Sequence, residues 1–441
     1  MKINKIALSI ILTLSFYIIN AQEKKLLTLK EAIQIAINNS DAATLATTRV
    51  ETSKLELNNT KNNSYPSLKA SGQYLRLSNA NIDSKIQTNT NPSGEPSAPL
   101  KADQLLLGQI NASLPIFSGF KLKNSIRTSQ SLLESERLTE KHAKEQIGLQ
   151  VVELFSSLYK TQQMTILIED NLKSAEQRVK DFTAMEENGI ISRNDLLKAQ
   201  LQVSNIQLAL DNSKKNTAIT NFQLITLLKL PANTAVEIDI EAIKRDLNTN
   251  QNVFSGERND LKALKYKKSA SESAIKIAKG NYYPSIALSA GYLALDINNV
   301  LTVTNAMNFG LGFSYDLSSI FKNNKQVKLA QSKAKETEIA INLLQNEINE
   351  DQFQAKENYT LSLKQSLVYE KTVEQATENY RIIKDKYDNS LSDTNDLLEA
   401  DFEALQAKIN QALSKADVAQ KYYELQFANG TLTSSLHTNQ N

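Results

Sequence analysis

Two periodicities alternate along the chain. In residues 121–188 and 326–389 apolar side chains recur at three- and four-residue steps, as Ile147, Val151, Leu154/Phe155 and Leu158 do in the first tract and Leu344 and Ile348 in the second. That spacing lays them on one stripe of a helix. Ala, Leu, Lys, Glu and Gln dominate both tracts, and no proline interrupts 116–230 or 285–441. An interior proline costs a helix about 3 kcal/mol, so these stretches are free to form very long helices, of roughly 100 Å at 1.5 Å per residue.

Between the helical tracts the period drops to two. Leu106, Gly108, Ile110, Ala112 and Leu114 alternate with Leu107, Gln109, Asn111 and Ser113. Met307, Phe309, Leu311, Phe313 and Tyr315 alternate with Asn308, Gly310, Gly312 and Ser314. These segments, 105–114 and 306–315, are predicted as strands with one apolar and one polar face. Segments 67–77 and 285–295 carry a weaker form; in the first, Leu75-Arg76-Leu77 breaks the phase set by Leu68, Ala70, Gly72 and Tyr74. Strands of about 9–11 residues suit a tilted bilayer crossing, although a half-buried sheet gives the same pattern. The polar, Pro- and Asn-rich 79–103 reads as a long exposed loop, 296–305 as a short one, and 231–257 as a small mixed region.

Residues 1–21 read as an export signal: Lys2 and Lys5, an apolar run from Ile6 to Ile19, then Asn20-Ala21 before a cut ahead of Gln22. The apolar run is short for a membrane span, and an uncleaved anchor is the alternative.

The halves share landmarks in one order. Tyr65-Pro66-Ser67-Leu68 is echoed by Tyr283-Pro284-Ser285-Ile286, and Leu114 to Lys121 (LPIFSGFK) by Tyr315 to Lys322 (YDLSSIFK). Asn194-Asp195-Leu196-Leu197-Lys198-Ala199 is echoed by Asn395-Asp396-Leu397-Leu398-Glu399-Ala400. Such register points to duplication, with repeats at 22–245 and 246–441, each reading helix, strand, loop, strand, long helix, tight turn, helix. Pro66, Pro115 and Pro284 mark the strand–helix junctions. Gly189 is suited to end the first long helix, and Asn194 or Asp195, and Asn395 or Asp396, to cap the helices that follow.

Composition narrows the function. Fifty basic residues face 48 acidic ones, and removing Lys2 and Lys5 leaves 48 against 48, so no basic surplus favours nucleic acid. There is no Cys and only His142 and His437, which excludes disulfides and Cys-ligated metals and leaves little for His-based catalysis. No G-x-S-x-G, P-loop or H-E-x-x-H motif occurs, so no enzyme, cofactor or metal is expected. Four strands cannot close a barrel, and open edges cannot face lipid. Three chains together would give about 12 strands around a lumen, continued by a cylinder of long helices. The fold class expected is therefore an α+β membrane protein: antiparallel α-helical hairpins plus four transmembrane strands per chain. A secreted or periplasmic coiled-coil adhesin is the rival; it accounts for the helices but not for the alternating strands.

The YPS lead-ins, the LPIFSGFK exit and the paired D-L-L-x-A tips resemble the outer-membrane efflux proteins, the TolC-like family, over about 25–435. The resemblance implies a homotrimer in the outer membrane of a Gram-negative bacterium, with its helices in the periplasm. It implies an exit duct serving an inner-membrane efflux pump or ABC exporter through a periplasmic adaptor protein. It places an acidic ring at the pore constriction on Asp396 and Glu399, and a closed-state contact between Tyr387 and Asp195. An arginine of that lock is replaced by Ser392, with Arg193 a substitute. Adaptor contact falls on Gly189, Ile190 and Ile191 of one tip and on Ser390 and Leu391 of the other, Ser390 standing where glycine is usual.

Overall fold

The computed structural model describes residues 23–82, 100–238, 257–298 and 300–437; the expected signal segment and the middle of the 79–103 loop lie outside these. In chain order the elements are β1 (Glu23–Leu27), α1 (Leu29–Asn39), α2 (Asp41–Asn62), β2 (Ser67–Ile82), β3 (Leu100–Ser118), α3 (Lys121–Glu187), α4 (Arg193–Leu228) and β4 (Thr234–Ile238). Then follow α5 (Asn259–Gly280), β5 (Ser285–Ile297), β6 (Leu301–Ser314), α6 (Ser319–Asp388), α7 (Thr394–Ala428) and α8 (Leu432–His437). Helix, strand, strand, long helix, helix thus occurs twice, and α3 and α6 run unbroken through 67 and 70 residues.

The chain forms two compact units, each built from both halves. The first, from Arg49–Arg137 and Lys262–Leu343, holds an antiparallel sheet in the order β2-β3-β5-β6, in which β2 and β6 each pair on one side only. All four predicted strands are present but longer than their alternating segments. The phase break at Leu75-Arg76-Leu77 is a bulge: register shifts between Arg76 and Ala80, after which pairing resumes to Ile82↔Leu100. The 296–305 loop shrinks to a turn between Ile297 and Leu301.

Pro66 and Pro284 do immediately precede β2 and β5, but Pro115 is not at a strand–helix junction. It lies inside β3, opposite Ala287, where register shifts between Pro115 and Phe117. Proline is tolerated there because the β2 partner ends at Ser67↔Ser113, so no ladder bond to that side is lost. The corner itself is made by Gly119 and Phe120, both at positive φ (62°). A Cβ on Gly119 would fall 2.3 Å from the Gly280 carbonyl oxygen, so α5 and the β3–α3 corner meet backbone to backbone.

The second unit, from Met1–Thr48, Leu138–Leu261 and Leu344–Asn441, is mainly helical among its described residues. The predicted stripe Ile147, Val151, Phe155 and Leu158 is buried, packed with Leu27, Ile33, Leu224, Ile225, Leu228, Tyr422, Tyr423 and Leu432. One pairing was not foreseen: β1 lies parallel to β4, the VEI part of the mixed region. Short α8 is held to α3 by the buried Glu145 carboxylate, which accepts bonds from the Thr433 amide and hydroxyl. Burial pushes the Glu145 pKa up, against the pull of those bonds.

Candidate functional site

Two places carry the chemistry: the faces of the sheet and the turns joining the long helices. In the sheet the pairing register decides which residues share a face. On one side lie the rows Leu311–Leu288–Leu114, Phe309–Ala290–Ala112–Leu68 and Met307–Tyr292–Ile110–Ala70. On the other lie Gly310–Ser289–Ser113–Ser67 and Asn308–Gly291–Asn111–Lys69. The apolar side is bare within the chain: Phe309 is 90 % exposed, Met307 78 %, Leu68 74 % and Leu311 70 %. An apolar face of that extent needs an apolar surrounding.

The two helix–helix turns are built alike. In the first, Gly189 (φ 74°) ends α3 in the left-handed region, and the Ile190 amide bonds back to the Met185 carbonyl at 2.8 Å. In the second, Ser390 takes the same conformation (φ 59°), and the Leu391 amide bonds to the Lys386 carbonyl at 2.8 Å. Asn188 and Asn389 each cover an open carbonyl of the last turn, those of Ala184 and Asp385. This pattern of back-bonding after a left-handed residue is a Schellman-type helix end.

The caps differ from expectation. Ser192 and Asp393 are the N-caps, receiving the Asp195 and Asp396 amides at 3.2 and 3.0 Å. Asp195 and Asp396 are instead the third residues of their helices, in the first turn, and their carboxylates accept from the Ser192 and Ser392 hydroxyls. A cap side chain reaches the amide three positions on, so Ser and Asp before the motif were better placed than Asn or Asp within it. The Ser192 hydroxyl holds the Asp195 pKa below the usual range.

The shared D-L-L-x-A motif has a packing reason. Leu196, Ala199 and Leu397 are buried in one small core with Phe182, and Ala400 is buried at the position matching Ala199. The intervening residues point away: Asp396 and Glu399 are both exposed, and neither makes an ion pair among the described residues. Tyr387 stacks on Phe182, centroids 5.8 Å apart, and its buried hydroxyl has no hydrogen-bond partner within the described chain. It makes no bond to Asp195 here. Arg193 lies 3.9 Å from Glu186 of its own tip. Ile190 and Leu391 are largely exposed, at 67 % and 77 %, while Ile191 packs onto the tip core. A groove of about 950 Å³ separates the two tips, lined by Ile190, Asp195, Lys384, Tyr387, Ser390 and Asp393 among others.

Sequence reading missed the polar network that joins the two hairpins above this groove. Arg178 of α3 donates to Asp401 of α7 at 3.0 Å, to Tyr380 of α6 at 3.3 Å and to Gln202 of α4 at 3.4 Å. Both charged side chains are only 10 % exposed. The signal was present: Leu397, Ala400, Asp401 and Ala404 share the buried stripe of α7, and a carboxylate on such a stripe requires a partner.

The chain combines a sheet with one bare apolar face and long helical hairpins that end in paired tips. Residues 254–431 match the family described as outer membrane efflux protein, bearing out the resemblance read from the motifs. The fold is shared with VceC of Vibrio cholerae (TM-score 0.74, 14 % identity, 91 % of this chain and 96 % of that one). It is shared with the CmeC outer membrane channel of Campylobacter jejuni (0.76, 16 %, 92 % and 86 %). The MtrE outer membrane channel of Neisseria gonorrhoeae also matches (0.70, 15 %, 91 % and 88 %). None of the curated proteins matches the sequence.

Proposed function

We propose that the protein is the outer-membrane exit duct of a tripartite efflux or type I secretion system. Three chains complete a 12-stranded barrel, with the helical hairpins in the periplasm. The observation that carries this reading is the sheet: four strands, two unpaired edges and a bare apolar face. Unpaired backbone groups are not tolerated in lipid, so the β6 edge of one chain meets the β2 edge of the next. The repeated order of elements and the matched tips support duplication of one unit at 22–245 and 246–441. The tips meet the periplasmic adaptor through Gly189, Ile190 and Ile191 and through Ser390 and Leu391, and the adaptor links the duct to an inner-membrane pump.

In the trimer, Asp396 and Glu399 from three chains ring the constriction. Like charges held close concentrate cations and disfavour anions. The Tyr387 hydroxyl and Asp195, with Arg193, are placed for closed-state contacts between tips. Protein purified from the outer-membrane fraction should form cation-selective channels in planar bilayers. Asp396→Asn with Glu399→Gln should weaken that selectivity while leaving the caps at Ser192 and Asp393 in place. Protein that never conducts, and that fractionates with secreted rather than membrane material, would favour the coiled-coil adhesin instead.

A further inference from the structure

We infer that Lys69 is a charge-selecting residue of the barrel bore, opposite in sign to the acidic ring at the tips; this rests on the channel reading above. The polar face of the sheet is the one that faces water when the apolar face meets lipid. On that face lie Ser67, Lys69, Ser71, Gln73 and Leu75 of β2 with their register partners on β3, β5 and β6, and Lys69 is the one charged side chain among them. Lys69 is exposed and forms no ion pair among the described residues.

Its row, Lys69–Asn111–Gly291–Asn308, shows directly that these residues share one side. A Cβ at Gly291 would lie 2.9 Å from Asn308 Oδ1 and 3.0 Å from Asn111 Oδ1, so the two carboxamides close over the glycine. Asn111 also donates to Gln109, two residues along the same strand. Lys69 therefore stands beside uncharged amides, with no carboxylate in the row to neutralise it. The second half has Ala287 after its own Tyr-Pro-Ser-Ile, so this strand position carries its charge only in the first half and would recur three times in a trimer.

Three ammonium groups at one height in a low-dielectric wall raise the local concentration of anions. The effect has a reach set by salt: about 10 Å at 0.1 M and about 30 Å at 0.01 M. The Lys69 ring thus favours anions where the acidic tip ring favours cations, and anionic cargo in the bore is drawn towards the wall rather than repelled by it.

Reversal potentials in KCl gradients across planar bilayers test this with the full-length protein. Lys69→Glu should raise the K⁺/Cl⁻ permeability ratio by about twofold or more near 0.03 M salt, with Lys69→Gln in between, and the difference should vanish near 1 M. As a check on facing, a charged water-soluble thiol reagent should change the conductance of Lys69→Cys and not of Leu68→Cys, in a chain that has no other cysteine. Conducting channels with one ratio in all three proteins, or a response from Leu68→Cys instead, would overturn the inference while leaving the channel reading intact. Absence of conductance in the unaltered protein would remove both.

Discussion

The Arg178–Asp401 pair is where a single substitution should have the largest effect on the tips. Arg178→Met removes the guanidinium and leaves the Asp401 carboxylate, 10 % exposed, with only the long 3.4 Å contact from Asn171. Breaking a buried pair from one side costs about 3–5 kcal/mol, because the remaining charge is left uncompensated. The pair connects α3 of the first hairpin to α7 of the second, so the cost falls on the joint between hairpins rather than on either helix. At the lower figure, local opening should become about 100-fold more frequent, since each 1.4 kcal/mol is about tenfold. Amide hydrogen exchange over peptides spanning 171–200 and 380–401 reads this directly. Replacing both partners with apolar residues, Arg178→Met with Asp401→Leu, should restore protection to within about threefold of the parent, because an apolar pair of similar volume is close to neutral. Exchange unchanged in the single variant, or a double variant as labile as the single one, would refute the reasoning.

Ser390→Gly should stabilise the second tip by about 1 kcal/mol, because a non-glycine residue at φ 59° carries that strain; the Leu391 amide should exchange about fivefold more slowly, and faster exchange would contradict it. Gly280→Ala should destabilise the β3–α3 corner by about 1–3 kcal/mol, since the new methyl would lie 2.6 Å from the Gly119 oxygen and 2.4 Å from Lys121 Cγ; a lower temperature for the heat-induced gel shift is expected, and an unaltered one would count against the close approach. Glu145→Gln keeps an acceptor for Thr433 but removes a carboxyl whose pKa burial raises. With a raised pKa, the folded chain binds the proton more tightly than the unfolded one, so stability falls as pH climbs above about 4.3 towards the raised value. The Gln variant's advantage should therefore be near zero at pH 4 and full at pH 7 in denaturant titrations; an advantage that shrinks as pH rises would be the wrong sign.

The residues that decide architecture were legible because their periodicities are long and uninterrupted. The helical tracts end within a few residues of their predicted limits, and the four strands fall where the period is two. Strand ends were missed where a bulge, as after Arg76, lets pairing continue past a break in alternation. Pro115 was misplaced because a proline inside β3 is tolerated only through the early end of its β2 partner, a fact of pairing rather than of local sequence. The parallel β1–β4 pair joins residues about two hundred positions apart, beyond any local pattern. At the tips, the turns were foreseen from Gly189 and the D-L-L-x-A repeats, but the caps moved to Ser192 and Asp393, each two residues before the Asn of its Asn-Asp pair. The Arg178 network escaped because its five polar groups lie on four helices and meet only after folding.

The central claim is that the sheet is completed only between chains. Sedimentation equilibrium in density-matched detergent, on protein whose β-sheet content is followed by infrared spectroscopy, tests it most directly. The account predicts a single species of three times the chain mass that loses its sheet when it dissociates; a monodisperse monomer retaining its β-sheet would contradict it.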